Sequence, residues 1–554
     1  MKKLFVLITV IFVQTASLLT AVNVSALGND YNTAFKYSLL FFDANKCGPD
    51  AGENNYFEWR DACHTDDGKV VGLDLTGGYH DAGDHVKFGL PQAYSASVLG
   101  WSLYEFRDAF DATGNTKNAL STLKYFSDYL LKCHPDANTF YYQVGDGQED
   151  HTYWGAPEEQ TGTRPVPYVA NSSSPGSDVL GLTSSALSIM YLNYKDIDSG
   201  YANQCLKAAK ELYAMGKKNL GKYKEAAFYQ SHSYWDDLAW AAAWLYVIEK
   251  DNSYIGEIDS YLSNNTYLGV TPFENMWTMC WDDMYMAVFC KMAELTGEKK
   301  YKDAMDYNLG FWKNTITTTP GGLKYLDSWG ALRYASAECM LALKYYELTK
   351  DESLKAFAKS QIDYMLGNNP EKMSYVIGLG SKYALHPHHR AANGYTYANG
   401  ENANPAKNLL TGALVGGPDN RDKYEDTIHS FQCTEVAIDY NASFVAAIAG
   451  INKYFGGVTI PSPTPTKSAA PTPTKDTSVT YKIGDVDLNG KINSTDYSFL
   501  KRYLLGILEK LPYQENESIK IELADVDGSG SINSTDYAMM KRYLLGVITE
   551  FPKK

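Results

Sequence analysis

The dominant pattern along the chain is a helical period of apolar positions that runs, breaks at a polar turn and runs again. Within 331–366, Leu332, Ala335, Cys339, Leu343 and Tyr346 recur at intervals of three and four, Leu348 closes the stripe, and Thr349-Lys350-Asp351 turns the chain into a second stripe. Side chains at that spacing share one face of a helix. The same paired stripes run through Ala93 to Leu131, Leu182 to Met215, Asp237 to Leu262 and Met284 to Trp312, with single stripes near Tyr31 to Phe42 and Val436 to Tyr454. Five hairpins and two flanking helices make about twelve helices. Long strand-like alternation is absent, so the expected fold is all-α, a toroid of helix hairpins with function on irregular loops at one rim.

The period stops at Pro461 to Lys475, PSPTPTKSAAPTPTK, which reads as an extended Pro/Thr linker spanning 459–480. It separates 27–458, which holds every histidine, from a tail at 481–550 that has neither histidine nor cysteine. In that tail Gly484 to Gly506 and Ala524 to Gly546 match at a spacing of 40, a duplication. Asp485, Asp487, Asn489 and Asp496, and again Asp525, Asp527, Ser529 and Asp536, place oxygen side chains at positions 1, 3, 5 and 12 of a loop with Gly490 or Gly530 at position 6. A twelve-residue loop so spaced wraps calcium, the glycine permitting its sharp turn. Position 12 is Asp, one methylene shorter than the usual Glu, and a helix before each loop is not evident. Over about 484–548 the tail resembles a type I dockerin, which implies bound calcium and a cohesin-bearing scaffold as partner.

Composition narrows the partners. Lys plus Arg number 50 against 65 Asp plus Glu, a net charge of −15, which argues against a phosphate-backbone partner and so against nucleic acid. Hydrophobic residues at 45% and charged residues at 21% exclude wholesale disorder and a multi-span membrane protein. Met1-Lys2-Lys3, the apolar run Leu4 to Val13 and Val24-Ser25-Ala26 read as a cleavable signal peptide at 1–26, and hence a secreted protein with no membrane span. Of the eight cysteines, Cys205, Cys290 and Cys339 lie on apolar helix faces and read as small buried hydrophobes.

Two acidic segments carry the candidate chemistry. Gly77-Gly78-Tyr79-His80-Asp81-Ala82-Gly83-Asp84 sets two aspartates three apart on a glycine-rich loop, and the run from Tyr424-Glu425-Asp426 to Glu435 sets a glutamate at the start of an apolar helix. Glycoside hydrolysis needs one carboxyl to protonate the leaving oxygen and another to activate water. Either segment alone is a weak signal. In order along Tyr31 to Phe455, however, they resemble glycoside hydrolase family 9, the inverting cellulases with an (α/α)6 barrel. The resemblance implies a catalytic set of Asp84 as general base with Asp81 helping to hold the water, Glu435 as general acid, Asp426 in its own signature place, and His388, which with Arg390 is also expected to contact sugar. It implies sugar contacts at His151 and Trp154 of HTYW, Tyr229 of FYQS, Trp277, Trp329 and Arg333 of WGALR, Arg390 of PHHR, and Tyr440. Leu379 departs from the family's more usual aromatic residue. For the tryptophans and Tyr229 the alternative is core packing; for His388 and Arg390 it is a bond to backbone.

The same resemblance implies two metal sites in the barrel. Ser233, Asp236, Asp237 and Asp282 match a structural calcium site, with Asp237 replacing a more usual Glu. Cys47, Cys63, His64 and His80 supply the two sulfurs and two nitrogens that tetrahedral zinc takes; the alternative is a Cys47–Cys63 disulfide. The expected function is a secreted, scaffold-borne endo-β-1,4-glucanase acting on cellulose. Its competitors are a non-catalytic glucan-binding subunit and a hydrolase of a related β-glucan.

Overall fold

The computed structural model describes residues 31–224, 228–263, 271–396 and 404–456, and in the tail 482–486, 488, 492, 494–504, 510–515, 523–544, 548 and 550–552. The expected signal peptide, linker, Asp487 and Asn489 lie outside the described residues. The chain divides into two compact units between Ser462 and Pro463.

The first unit is built on twelve helices: α1 (31–45), α2 (Gly89–Glu105), α3 (Thr116–Lys132), α4 (Ser177–Tyr194), α5 (Ser199–Lys218), α6 (Trp235–Glu249), α7 (Ser253–Ser263), α8 (Tyr285–Thr296), α9 (Lys299–Asn314), α10 (Ala331–Thr349), α11 (Glu352–Met365) and α12 (Ile438–Phe455). The even-numbered helices pack each against the next, and α12 packs back onto α2, closing an inner ring. The odd-numbered helices lie outside it. Inner helices are buried on nearly every side rather than along one stripe: α2 is buried from Gly89 to Leu103. Outer helices keep one apolar stripe, as in α3, where Ala119, Leu123, Phe126 and Leu130 face inward.

The fold is thus the expected (α/α)6 barrel, with one addition the periodicity did not announce. Lys87–Phe88, Phe140–Val144 and Tyr168–Ala170 form a small antiparallel sheet, Lys87 opposite Val144 and Phe140 opposite Ala170. Five residues at most per strand give too short an alternation to read against a helical background. Near the C-terminal ends of the inner helices, Lys291 and Lys344 each hold Glu105 at 2.7 Å, all three largely buried. The two cations neutralise a carboxylate that burial alone would protonate.

In the tail unit two helices, Ser494–Leu504 and Ser534–Leu544, follow the two loops. Tyr497 and Tyr537, equivalent in the repeat, stack with ring centroids 4.2 Å apart. Val486, Leu500, Leu511, Tyr513, Leu523, Ala524, Val526 and Met540 are the buried apolar residues among those described.

Candidate active site

A cleft of about 480 Å³ opens where the chain enters the inner helices. Asp81, Asp84 and Phe88 reach it ahead of α2, His151 ahead of α4, Phe228 and Tyr229 ahead of α6, Trp281 ahead of α8, Asp327, Trp329 and Arg333 at the start of α10, and Glu435 and Tyr440 at the start of α12. Most of these side chains stand on the connections that lead into the inner helices, while Arg333 and Tyr440 stand in the first turns of α10 and α12.

The Asp81–Asp84 loop is fixed from three sides. The Asp84 carboxylate accepts the N–H groups of Ala82 and Val86 at 3.2 Å each, and the Asp81 backbone is tied to Val86 and to Ile438 of α12. Gly83 lies against the chain at His388 and His389, where an added Cβ would fall 2.0 Å from the His388 carbonyl oxygen, and Gly83 in turn accepts the N–H of Arg390. Glycine is required there by close approach, not by its backbone angle. The Tyr229 hydroxyl donates to Asp81. Burial, then the neighbouring Asp84, push the Asp81 carboxyl well above the usual range; burial, then Asp150, raise Asp84, with His151 and Arg390 opposing.

Across the cleft, Glu435 ends a short helix, Phe431–Thr434, and its backbone pairs with His388 in a bridge. It lies before α12 rather than inside the helix, because Ala437 is extended and caps that helix. Trp329 Nε1 and the Tyr440 hydroxyl donate to Glu435 Oε2 at 2.6 and 2.9 Å. Burial raises the Glu435 pKa against these two bonds and the charge of Arg333. Arg333 is itself held by Asp439 at 3.2 Å and stacks over Tyr334 and Tyr440.

Not every expected sugar contact reaches the cleft. Trp154 is buried, its indole N–H given to Asn393 at 3.0 Å, and Arg390 is buried with its guanidinium on Asp150 at 2.6 Å. Both stand behind the wall because each has a protein partner that outcompetes water and sugar for its polar atoms. Trp277 packs edge-on against Tyr334, away from the cleft lining. His388 gives its Nδ1 to Ile428 O, and burial lowers its pKa to about 4, so it is neutral. Asp426 accepts the N–H groups of Leu385 and His386 at 2.9 Å each and so fixes the loop that carries His388 rather than facing the cleft. Sequence reasoning passed over Trp281, Phe228, Asp327 and Asp439. Trp281 precedes α8 as Trp329 precedes α10, a placement in the sequence that could have pointed to it.

In the Cys/His cluster, Cys47 Sγ lies 3.6 Å from His64 Nδ1, and that nitrogen 3.1 Å from His80 Nε2. One ligand atom from each of Cys47, Cys63, His64 and His80 lies within 4.8 Å of every other. Zinc bonds of about 2.0–2.3 Å put tetrahedral ligand atoms about 3.3–3.8 Å apart, so the set fits. Both thiols are free rather than disulfide-linked. Arg60 Nη2 points at Cys63 Sγ from 3.4 Å, a cation placed to offset thiolate charge.

The acidic group ahead of α6 is less complete. Asp236 and Asp237 are buried and each leaves Oδ1 without a partner, and Asp178 and Asp283, which sequence reasoning missed, help raise Asp237 after burial. An all-oxygen set of this charge suits calcium. Both oxygens of Asp282, however, are engaged by His232, and Ser233 bonds to Tyr285. In the tail, Asp525, Asp527 and Asp536 bring carboxylate oxygens within 4.8 Å of one another, and Ser529 Oγ stands 3.5 Å from Asp525. Of the first loop, Asp485 and Asp496 are described and buried, Asp496 accepting the Val486 N–H at 2.7 Å.

Residues 31–448 match Glycosyl hydrolase family 9, and 483–545 match the Dockerin type I domain. Endoglucanase A of Bacillus pumilus is 39% identical over 450 residues, 77% of this chain and 67% of that protein. The crystal structure of the cellulase Cel9M of C. cellulolyticum in complex with cellobiose is 61% identical with a TM-score of 0.75, covering 77% of this chain and 99% of that one. Endoglucanase CelQ from Clostridium thermocellum, complexed with cellobiose and cellotriose, is 36% identical with a TM-score of 0.71, over 80% of this chain and 74% of that one. The chain belongs to glycosyl hydrolase family 9 and carries a type I dockerin domain.

Proposed function

We propose that the protein is a secreted endo-β-1,4-glucanase that hydrolyses cellulose with inversion and rides on a cohesin-bearing scaffold. The observation that carries the reading is the meeting of Glu435 and the Asp81–Asp84 pair in one aromatic-lined cleft. Two donors converge on Glu435 Oε2, leaving Oε1 to carry the proton that burial retains. That proton passes to the glycosidic oxygen as its bond to the anomeric carbon breaks. A water on the opposite sugar face forms the new C–O bond and gives its proton to Asp84, with Asp81 holding it. Burial and the charge of Asp84 push the Asp81 carboxyl up against the opposing Tyr229 bond, while His151 and Arg390 counter the rise at Asp84, which favours Asp84 as the ionised member of the pair. Trp281, Trp329, Tyr229 and Phe228 offer faces or edges to pyranose rings. Proton NMR of the first products should show α-anomers; initial β-anomers would remove the mechanism.

Asp426 and His388 serve to place Glu435, and Arg390 to place Asp150, in this reading. Zinc at Cys47, Cys63, His64 and His80 would brace the loop bearing Asp81. The tail loops, and with Asp178 and Asp283 the acids ahead of α6, would bind calcium. Secretion rests on the N-terminal pattern. A catalytic domain at 27–458, a linker at 459–480 and a dockerin at 481–550 are supported by the limits of the two family matches and by the division near Ser462.

A further inference from the structure

Between the Cys/His cluster and the catalytic loop, one carboxamide touches both. Gln160 Oε1 lies 2.9 Å from His64 Nε2 and 3.0 Å from His85 Nδ1, while its Nε2 donates to Asp150 Oδ1 at 2.9 Å. A carboxylate only accepts, so the amide nitrogen faces Asp150 and the oxygen faces the two imidazoles. That orientation sets two tautomers. His64 bears its proton on Nε2, leaving Nδ1 bare toward Cys47 and His80, the form a zinc ligand takes. His85 bears its proton on Nδ1. Asp150, gripped by Arg390, also accepts the backbone N–H of His85 at 3.1 Å, one residue past Asp84. Arg390 therefore anchors the far end of the relay, which explains why it is buried away from the cleft.

We propose that Gln160 is a positioning residue that couples the Cys/His cluster to the catalytic loop: it selects the His64 tautomer for metal and braces the segment after Asp84 through His85 and Asp150. The proposal rests on the reading of Asp84 as general base. A side chain that merely filled space would satisfy one of these partners, not a metal-facing imidazole, a second imidazole and a carboxylate together.

The test uses the full chain, with zinc loss to a chromogenic chelator and steady-state kinetics on carboxymethylcellulose as readouts. Gln160→Ala should lose zinc about tenfold faster and show kcat about tenfold lower, with KM changed by less than about twofold. Gln160→Glu keeps an acceptor for both imidazoles but sets a carboxylate against Asp150. It should hold zinc within about threefold of the parent while kcat falls as in Gln160→Ala. Zinc loss at the parent rate in Gln160→Ala, full kcat in Gln160→Glu, or a rise in KM alone would each overturn the coupling, as would a parent protein without zinc. Asp84→Asn tells the two readings apart. If it stays active while Gln160→Ala is slowed, the base assignment falls and the coupling stands; if it is inactive while Gln160→Ala is unimpaired, the coupling alone falls.

Discussion

In the barrel, the buried carboxylate of Glu105 sits between two lysines at 2.7 Å, whereas in the tail Asp536 accepts only backbone N–H groups, from Asp527 and Asn533, while Asp525 and Asp527 crowd beside it. The barrel supplies its own cations because its core is large enough to hold long side chains in place. The tail has eight buried apolar residues among those described. A core of that size rarely supports a fold unaided, so the metal's binding free energy has to serve as folding free energy. The difference teaches that a lone buried acid can be closed by lysines of its own fold, whereas acids crowded on one loop suit an ion, in the tail as ahead of α6.

Chelating calcium with EGTA should show the contrast at its largest. Hydrogen exchange on the full chain should find the amides of Ser534–Leu544 unprotected, while those of the inner barrel helices keep their protection and hydrolysis of soluble carboxymethylcellulose continues. Protection surviving in the tail would erase the distinction. Next in size, Asp84→Ala and Glu435→Ala should each lower kcat by at least about 10² with an unchanged thermal transition, since the barrel does not depend on them to fold. Near-parent turnover in either would remove that residue from the mechanism.

A smaller effect probes a barrel acid that has no cation. Glu338 is buried in α10, and burial, opposed only by Thr278, lifts its pKa to about 8. The unfolded chain releases this proton near pH 4.3, so the folded state binds one more proton across the interval and stability falls as pH rises from about 4.3 to about 8, by up to about 1.4 kcal/mol per pH unit. Glu338→Gln should flatten that slope, matching the parent at pH 4 and melting higher at pH 7.5. Equal melting profiles at both pH values would show that Glu338 is ionised or solvated in the fold. The smallest effect belongs to the tail repeat. Altering Ser494 and Thr495, or Ser534 and Thr535, should barely change cohesin affinity, while altering all four should cost several kcal/mol, about that of an interface hot spot. Complete loss from either pair alone would mean that one repeat does the docking.

The helix hairpins, the duplicated loops and the DAGD motif were legible because each is a short-range pattern: spacing along the chain fixes which side chains share a face or a turn. Tertiary structure alone decided that Trp154 and Arg390 turn inward, since their partners, Asn393 and Asp150, lie more than two hundred residues away. It likewise decided that Glu435 precedes its helix, because Ala437 is extended and caps it, and that Cys47 meets His64 beside His80 without a disulfide to Cys63. Local periodicity sets which residues face a core; which polar groups are left facing the cleft depends on the partners that long-range closure brings to each of them, and no spacing along the chain encodes that.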